Sequence, residues 1–360
     1  MRVLLFTLLS SPFKGGAENY YCNILKYWPD QTNIKILNNQ SQSLIKNWLW
    51  PKWLPAIKQL WQTIRKNKIE YILVGEILPF GTVTYLVTKL TKTPYTIILH
   101  GTDLAFALKY KRKEKIALKI LDKADIIICA NSYVARQVGE FIENKNKISV
   151  VNPGINPMIK FDGVIIDNLK NKYRLHNKLI LFSLGRLVER KGFDKVIKVL
   201  PDVIKKVPNI KYLIAGAGHE YNNLNVLIKK LNLKDRVIML GKVNEEEKWA
   251  LLKLCDIFIS PSREINGDVE GFGIVFLEAN LAGKPVIAGD SGGVRDAVED
   301  HVNGILIDPE SEEAIADGIL ELALNQRLRQ KLGQQGWRRA IEKFNWEKQI
   351  RAIYSIINNT

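Results

Sequence analysis

Cysteine is scarce in this chain of 360 residues: three occur, Cys22, Cys129 and Cys255, far apart and without metal-ligand spacing. That excludes a disulfide scaffold and a zinc-finger arrangement and favours a reduced compartment. Long hydrophobic runs are lacking too. No apolar stretch approaches the roughly 18 residues that a membrane span needs, and the longest candidates are broken by Glu76 or by lysines. Val3 to Leu9 are apolar behind Arg2, but no small-x-small cleavage site follows, and Lys14-Gly15-Gly16 reads as a strand-to-helix turn. The segment is therefore expected to be a buried first strand. Gly216-Ala217-Gly218 lacks the third glycine and following acidic residue of a dinucleotide fingerprint, which argues against a nicotinamide enzyme. There is no helix-turn-helix, zinc finger or RNA-recognition motif, no internal repeat and no low-complexity tract. A nucleic-acid partner is not expected, since only the pI near 9.5 suggests one, and that would give no more than salt-labile, sequence-independent affinity.

What is present is ordinary globular material, 46% hydrophobic and 25% charged, in a length that suits two domains. The net charge of +16 is unevenly placed. Residues 1 to 160 carry 23 basic and 10 acidic side chains, residues 161 to 360 carry 30 and 27. The first half is basic and suits an anionic partner, which net charge alone does not identify. Short β-like runs alternate with helical patterns in both halves, the mark of parallel sheets with crossover helices. The expected strands are Val3 to Leu8, Ile34 to Leu37, Tyr71 to Gly75, Thr96 to Leu99, Ile126 to Cys129 and Ile148 to Val151, then Leu179 to Leu184, Lys211 to Ala215, Val237 to Leu240, Ile257 to Ser260, Val286 to Ala288 and Gly304 to Ile307. Continuous apolar character predicts strands covered on both faces. The fold class is α/β, with two Rossmann-like doubly wound domains at 1–160 and 179–343. A linker at 161–178 and an amphipathic terminal helix at 344–360, with Trp346, Ile350, Ile353, Tyr354 and Ile357 at helical spacing, complete the organisation.

The most telling stretch is Glu270-Gly271-Phe272-Gly273-Ile274-Val275-Phe276-Leu277-Glu278, two carboxylates bracketing a glycine-rich turn that runs into an apolar helix. Carboxylates accept paired hydroxyls, and the helix start between them offers free N–H groups, so the pattern suits a polyhydroxylated or phosphorylated ligand. As an isolated feature, Glu270 is equally well a carboxylate favoured by the helix dipole. Glu278 fits a bland role less well, because an unpaired charge among Val275, Phe276, Leu277, Ala279 and Leu281 is costly to bury. A second stretch, Gly185-Arg186-Leu187-Val188-Glu189-Arg190-Lys191-Gly192, follows one expected strand and precedes a helix, which places Arg186 and Lys191 at the carboxyl edge of the second sheet, where open α/β sheets bind ligands. His100-Gly101 closes a strand of the first half in the same way; a lone histidine there is more often structural than functional.

Ser262-Arg263 and Gly267-Asp268-Val269 leading into Glu270, with Glu278-Ala279 behind, closely resemble the donor-binding signature of retaining, nucleotide-sugar-dependent glycosyltransferases of family 4 with the GT-B fold, nearest in motif to bacterial phosphatidylinositol-mannoside-type mannosyltransferases. The resemblance implies two domains facing a cleft and a terminal helix that returns to the first domain. It implies that Glu270 orients the donor sugar, that Glu278 binds ribose hydroxyls, that Arg186 and Lys191 contact the diphosphate, and that His100 faces the sugar, making Glu270 and His100 the catalytic pair. Gly15, Gly16, Val243, Gly271, Phe272, Gly273 and Ile274 complete the expected donor site. The chain has no Asp-x-Asp, by which many transferases recruit a divalent ion, so no metal or cofactor is expected and protein cations are left to hold the diphosphate. Glu270→Ala and Lys191→Ala are expected to abolish transfer with folding intact.

The acceptor half is less specific. Lys109, Lys111, Arg112, Lys113, Lys115, Lys119 and Lys123 crowd the segment after His100, and Trp48, Trp50, Trp53 and Trp61 interleave with Lys46, Lys52 and Lys58. Cations beside interfacial aromatics suit a monotopic membrane contact, although Leu54, Ile57, Leu60, Trp61 and Ile64 also fit the core face of a helix. The expected partners are a nucleotide-sugar donor, a lipid-linked or glycan acceptor and an anionic membrane surface. The expected setting is the cytoplasm, including the inner face of the membrane. Rival readings are a nucleotide-sugar epimerase, which would act without acceptor, a phosphorylase, for which no pyridoxal-lysine motif occurs, and a basic membrane- or nucleic-acid-binding protein without turnover.

Overall fold

The computed structural model describes residues 1–8 and 16–359. Each apolar run forms a strand: β1 Val3–Thr7, β2 Ile34–Asn38, β3 Tyr71–Val74, β4 Tyr95–Leu99, β5 Ile126–Cys129 and β6 Ile148–Val150 in the first half. In the second half they are β7 Leu179–Leu184, β8 Ile210–Ala215, β9 Val237–Gly241, β10 Ile257–Ser260, β11 Val286–Gly289 and β12 Gly304–Ile307. The strands are parallel, in the orders β2-β1-β3-β4-β5-β6 and β12-β11-β10-β7-β8-β9. Burial on both faces explains the sequence: every residue of β1, β3, β4 and β5 is buried, since crossover helices cover each side of a parallel sheet. The expected doubly wound α/β architecture is what forms, and Val3–Thr7 is an interior strand, not a free apolar tail.

Both sheets reverse winding direction part-way along. In the first the reversal lies between β1 and β3, and in the second between β7 and β10, which pair through Ile257–Leu181 and Phe258–Phe182. Where neighbouring crossovers leave in opposite directions, the carboxyl ends of the strands open a crevice, and ligands of open α/β sheets bind there.

The chain divides into two compact units, Met1–Gly154 with Trp346–Thr360, and Ile155–Asn345. Residues 161–178, expected as a linker, hold the helix Val164–Tyr173, whose Leu169 is buried with Leu175 in the second unit's core. The terminal helix Trp346–Asn358 buries Trp346, Ile350, Ile353 and Ile357 with Tyr20, Tyr21, Ile24 and Trp28 of the helix Gly16–Tyr27. Among the described residues, no helix is long and apolar enough to cross a membrane. Burial pushes the thiols of Cys129 and Cys255 up to about 12, so neither is a nucleophile near neutrality.

Candidate active site

In the second unit the site is built at the β7/β10 reversal. Gly192, at φ +72°, lies so close to the exit of β10 that a β-carbon on it would sit 2.2 Å from the Pro261 carbonyl oxygen. Only glycine accepts both the left-handed backbone and that approach. The close crossing lets Arg263 N–H donate to the Arg190 carbonyl at 2.8 Å and turns Arg190 and Lys191 inward. Both cations are buried, at 6% and 7% exposure.

Their counter-charge is Glu270. Its Oε2 accepts from Lys191 Nζ at 2.5 Å, Arg190 Nη1 at 2.9 Å and Ser262 Oγ at 3.2 Å, while Oε1 has no hydrogen-bond partner among the described residues. Burial pushes the Glu270 carboxyl up, but Lys191 and then Arg190 pull harder and hold it at about 2, so it is ionised at any physiological pH. Arg190 Nε also lies 3.2 Å from Asp268. A side-chain β-carbon at Gly185 would meet Lys191 Cε at 3.3 Å, so the lysine lies along the backbone just past β7. A second buried guanidinium, Arg263, pairs with Asp194 at 3.2 Å and Glu189 at 3.4 Å and braces the same turn.

Glu278 belongs to a separate pair. It sits in the second turn of the helix Ile274–Leu281 and accepts from Lys248 Nζ at 2.8 Å, which resolves the cost of a buried carboxylate at that position. Lys248 is presented by the helix Glu245–Leu254, whose start is fixed by a capping box between Asn244 and Glu247. Burial raises the Glu278 carboxyl against the pull of Lys248. Burial also draws Lys248 down, but Glu278 and Glu245 together overcome it and keep the ammonium charged.

The remaining expected donor residues divide sharply. Phe272 is buried with its ring edge-on to Phe344 at 5.7 Å, so its side chain anchors the loop and its backbone is what it offers a ligand, while the half-buried Ile274 packs on the same core. Gly273 caps the helix at φ +82°, where a β-carbon would strike Phe276 at 2.4 Å; its requirement is conformational, in addition to the close ligand approach expected for it and for Gly271. Val243, just past β9, is half-buried against the same core. Arg186 is exposed and has no ion-pair partner among the described residues. Gly15 lies outside the described residues, and Gly16 opens the helix Gly16–Tyr27.

His100, in the first unit, follows β4. Its Nε2 lies 3.0 Å from the Tyr21 hydroxyl, and the rings of Tyr20 and Tyr21 pack edge-on to it at 5.0 and 5.3 Å. Trp346 of the terminal helix backs Tyr20 at 5.5 Å. Burial lowers the imidazole to about 4, so it is neutral near pH 7. Asp103 Oδ1 accepts from the N–H groups of His100 at 3.1 Å and Gly101 at 2.9 Å, while Oδ2 is buried without a hydrogen bond. Burial lifts the Asp103 carboxyl to about 6.

The structure thus unites Glu270 with Lys191, gives Glu278 a partner of its own and leaves Arg186 on the surface. Sequence reasoning passed over Arg190, Lys248 and Tyr21 as functional residues. Arg190 stands beside Lys191 in the glycine-bounded motif, so adjacency was its signal. Lys248 looks like one half of an exposed pair with Glu245 three residues before it, and nothing local marks Tyr21.

Comparison with known proteins places this geometry. The profile described as Glycosyl transferases group 1 matches residues 165–339, and that described as Glycosyltransferase Family 4 matches residues 14–158. A GDP-mannose-dependent alpha-(1-6)-phosphatidylinositol monomannoside mannosyltransferase of Mycobacterium tuberculosis is 27% identical over 287 residues, 79% of this chain and 74% of the relative. Among solved structures, Anabaena HepE in complex with UDP superposes with a TM-score of 0.81 at 21% identity, covering 100% of both chains. A glycosyltransferase from Rickettsia africae gives 0.82 at 20% identity, covering 99% of this chain and 97% of that one. With matches to these two glycosyltransferase profiles spanning most of its length, and twin parallel sheets in common with solved GT-B enzymes, the chain belongs to the family 4 glycosyltransferases of group 1 and is a glycosyltransferase.

Proposed function

We propose that the protein moves a hexose from a GDP- or UDP-linked sugar to a lipid-linked or glycan acceptor in cell-envelope polysaccharide or glycolipid synthesis, with retention at the anomeric carbon and without a metal ion. The observation that carries this reading is the convergence of Lys191 and Arg190 on one oxygen of Glu270 at the β7/β10 reversal. Glu270 is held ionised with Oε1 left for sugar hydroxyls, and Lys191 and the exposed Arg186 supply charge to the diphosphate. Glu278 takes the ribose hydroxyls with Lys248 as its counter-ion.

In the reaction the bond from the anomeric carbon to the phosphate oxygen breaks and a bond to the acceptor oxygen forms on the same face. The departing phosphate takes the acceptor's proton. His100, neutral, offers hydrogen bonding to the sugar or its backbone carbonyl to the developing positive charge. The relatives' GDP-mannose and the UDP of the Anabaena structure support a nucleotide donor and leave the base open. The basic first unit supports an acceptor at an anionic membrane surface on the inner face.

Thermal-shift titration with GDP, UDP and their sugar conjugates, followed by transfer assays with and without EDTA, tests the reading. Stabilisation by one nucleotide and EDTA-resistant turnover with an α-configured product from an α-linked donor are expected. Absence of any nucleotide effect overturns the donor reading, EDTA-sensitive turnover overturns metal independence, and an inverted product overturns retention.

A further inference from the structure

The helix Leu54–Asn67 is only partly accounted for by the core of the first unit. Ala56, Leu60 and Ile64 are buried against the sheet, whereas Leu54, Ile57 and Trp61 turn to a groove shared with Leu86, Val87 and Leu90 of the helix Thr82–Thr91. The groove has a volume of about 460 Å³. Leu90 at its edge is 78% exposed, and in the turn that leads into the first helix Trp48 and Trp50 are 80% and 89% exposed. Apolar surface on this scale is costly to leave in water and marks an interaction site.

Charge identifies what covers it. Residues 31–69 contain seven basic and no acidic side chains, and residues 77–102 contain Lys89 and Lys92 and no acidic one. Lys58 lines the groove, the Arg65 guanidinium lies 4.9 Å from the Trp61 ring, and Lys89 Nζ lies 4.4 Å from the Tyr85 ring. On the neighbouring segment, exposed Phe106 and Tyr110 are flanked in the same way, with Lys113 Nζ at 3.8 and 4.8 Å. A protein partner matching this face would need an acidic rim around an apolar ridge. An anionic bilayer offers both at once, headgroup charge outside and acyl chain within, and exposed tryptophans belong at that boundary.

We infer that the groove between the helices Leu54–Asn67 and Thr82–Thr91 seats an acyl chain of an anionic lipid bilayer, with Trp48 and Trp50 in the interface and the surrounding lysines on the headgroups. This deepens the membrane-surface part of the proposed function and rests on it; the transfer chemistry is independent.

The test uses the full chain with phosphatidylcholine vesicles, with and without phosphatidylglycerol. Co-sedimentation is expected only with phosphatidylglycerol at low salt, and vesicles brominated along the acyl chain are expected to quench tryptophan fluorescence, less so in Trp61→Phe. Leu90→Glu, at an exposed position, is expected to weaken binding at least about tenfold, because it sets a carboxylate in an apolar seat among anionic headgroups. Its nucleotide stabilisation, belonging to the other unit, is expected to stay unchanged. Vesicle binding unaltered by Leu90→Glu, or without quenching, overturns the groove and leaves surface adsorption. No vesicle binding at any ionic strength overturns the membrane reading while the nucleotide response still reports on the transferase. Self-association abolished by Leu90→Glu in the absence of lipid makes a second copy the occupant and overturns the inference.

Discussion

His100 Nε2 lies 3.0 Å from the Tyr21 hydroxyl, and that hydroxyl donates its single proton to the Gly75 carbonyl oxygen. A carbonyl oxygen only accepts, so Tyr21 has no proton to give the ring and must accept from it. His100 therefore carries its proton on Nε2 and leaves Nδ1 as an acceptor without a partner among the described residues.

Tyr21→Phe removes what fixes that tautomer. Long-range ¹H–¹⁵N spectra of histidine-labelled protein, assigned against His100→Asn, are expected to show a pyridine-type Nδ1 at pH 7 in the parent and mixed tautomers in the variant. Turnover is expected to fall roughly tenfold to a hundredfold with little change in KM for the donor, since the loss is one of ring orientation. A pyridine-type Nε2 in the parent contradicts the proton count.

Glu270 balances two buried cations, so removing it is not a purely catalytic change. Glu270→Ala leaves Arg190 and Lys191 without their shared carboxylate, which costs about 3–5 kcal/mol for a buried pair. Chemical denaturation is expected to show that loss together with loss of transfer, a revision of the expectation that folding stays intact. Lys191→Met with Glu270→Gln removes one charge of each sign and is expected to recover part of the stability but no activity. The acid side follows from the low carboxyl value: the stabilisation is complete above the ordinary carboxylate range and is lost as pH falls from about 4.5 to about 2.

Lys248→Met strands Glu278. The carboxyl, already raised by burial, loses the cation that opposes the rise. A group whose folded value lies above its unfolded value binds more protons when folded, so its contribution favours low pH and fades as pH rises. The variant is expected to lose more melting temperature at pH 8 than at pH 5 relative to the parent. An equal loss at both values would mean that Lys248 acts through packing alone.

His100 and Asp103 make opposite contributions in one window. Folding lowers His100 from 6.5 to about 4, so the unfolded chain holds more protons there and stability rises with pH. Folding raises Asp103 from 3.8 to about 6, so the folded chain holds more protons there and stability falls with pH. At about 1.4 kcal/mol per unit the two nearly cancel between pH 4 and 6. Melting temperature against pH is expected to slope downward in His100→Asn and upward in Asp103→Asn over that range. Of the other groups packed here, Tyr20, Tyr21 and Cys129 are raised by burial and stay protonated.

All twelve strands were legible because each is a run of apolar residues bounded by glycine, proline or polar clusters, and burial on both faces of a parallel sheet requires just that composition. Each observed strand lies within one residue of its expected bounds at either end; Tyr95 and Ile210, for instance, join β4 and β8 ahead of the expected starts. The helix in 161–178 was missed because Pro153-Gly154, Pro157 and Asp162-Gly163 signal a break, while the helix behind them buries little beyond Leu169. The face formed by Leu54, Ile57 and Trp61 has the same periodicity as a core face, and which side met the sheet was not written in the helix itself.

Two doubly wound sheets, their carboxyl edges and the segments that reach them could be read along the chain, since these depend on hydrophobicity and glycine within a few residues. Folding in three dimensions is what brings Lys191 and Arg190, 79 and 80 positions away, onto Glu270, sets Lys248 and not solvent against Glu278, and lets Tyr21 place the proton on His100. A side-chain charge or proton acts over a few ångströms of space, and distance along the chain carries no record of which partner will stand within them.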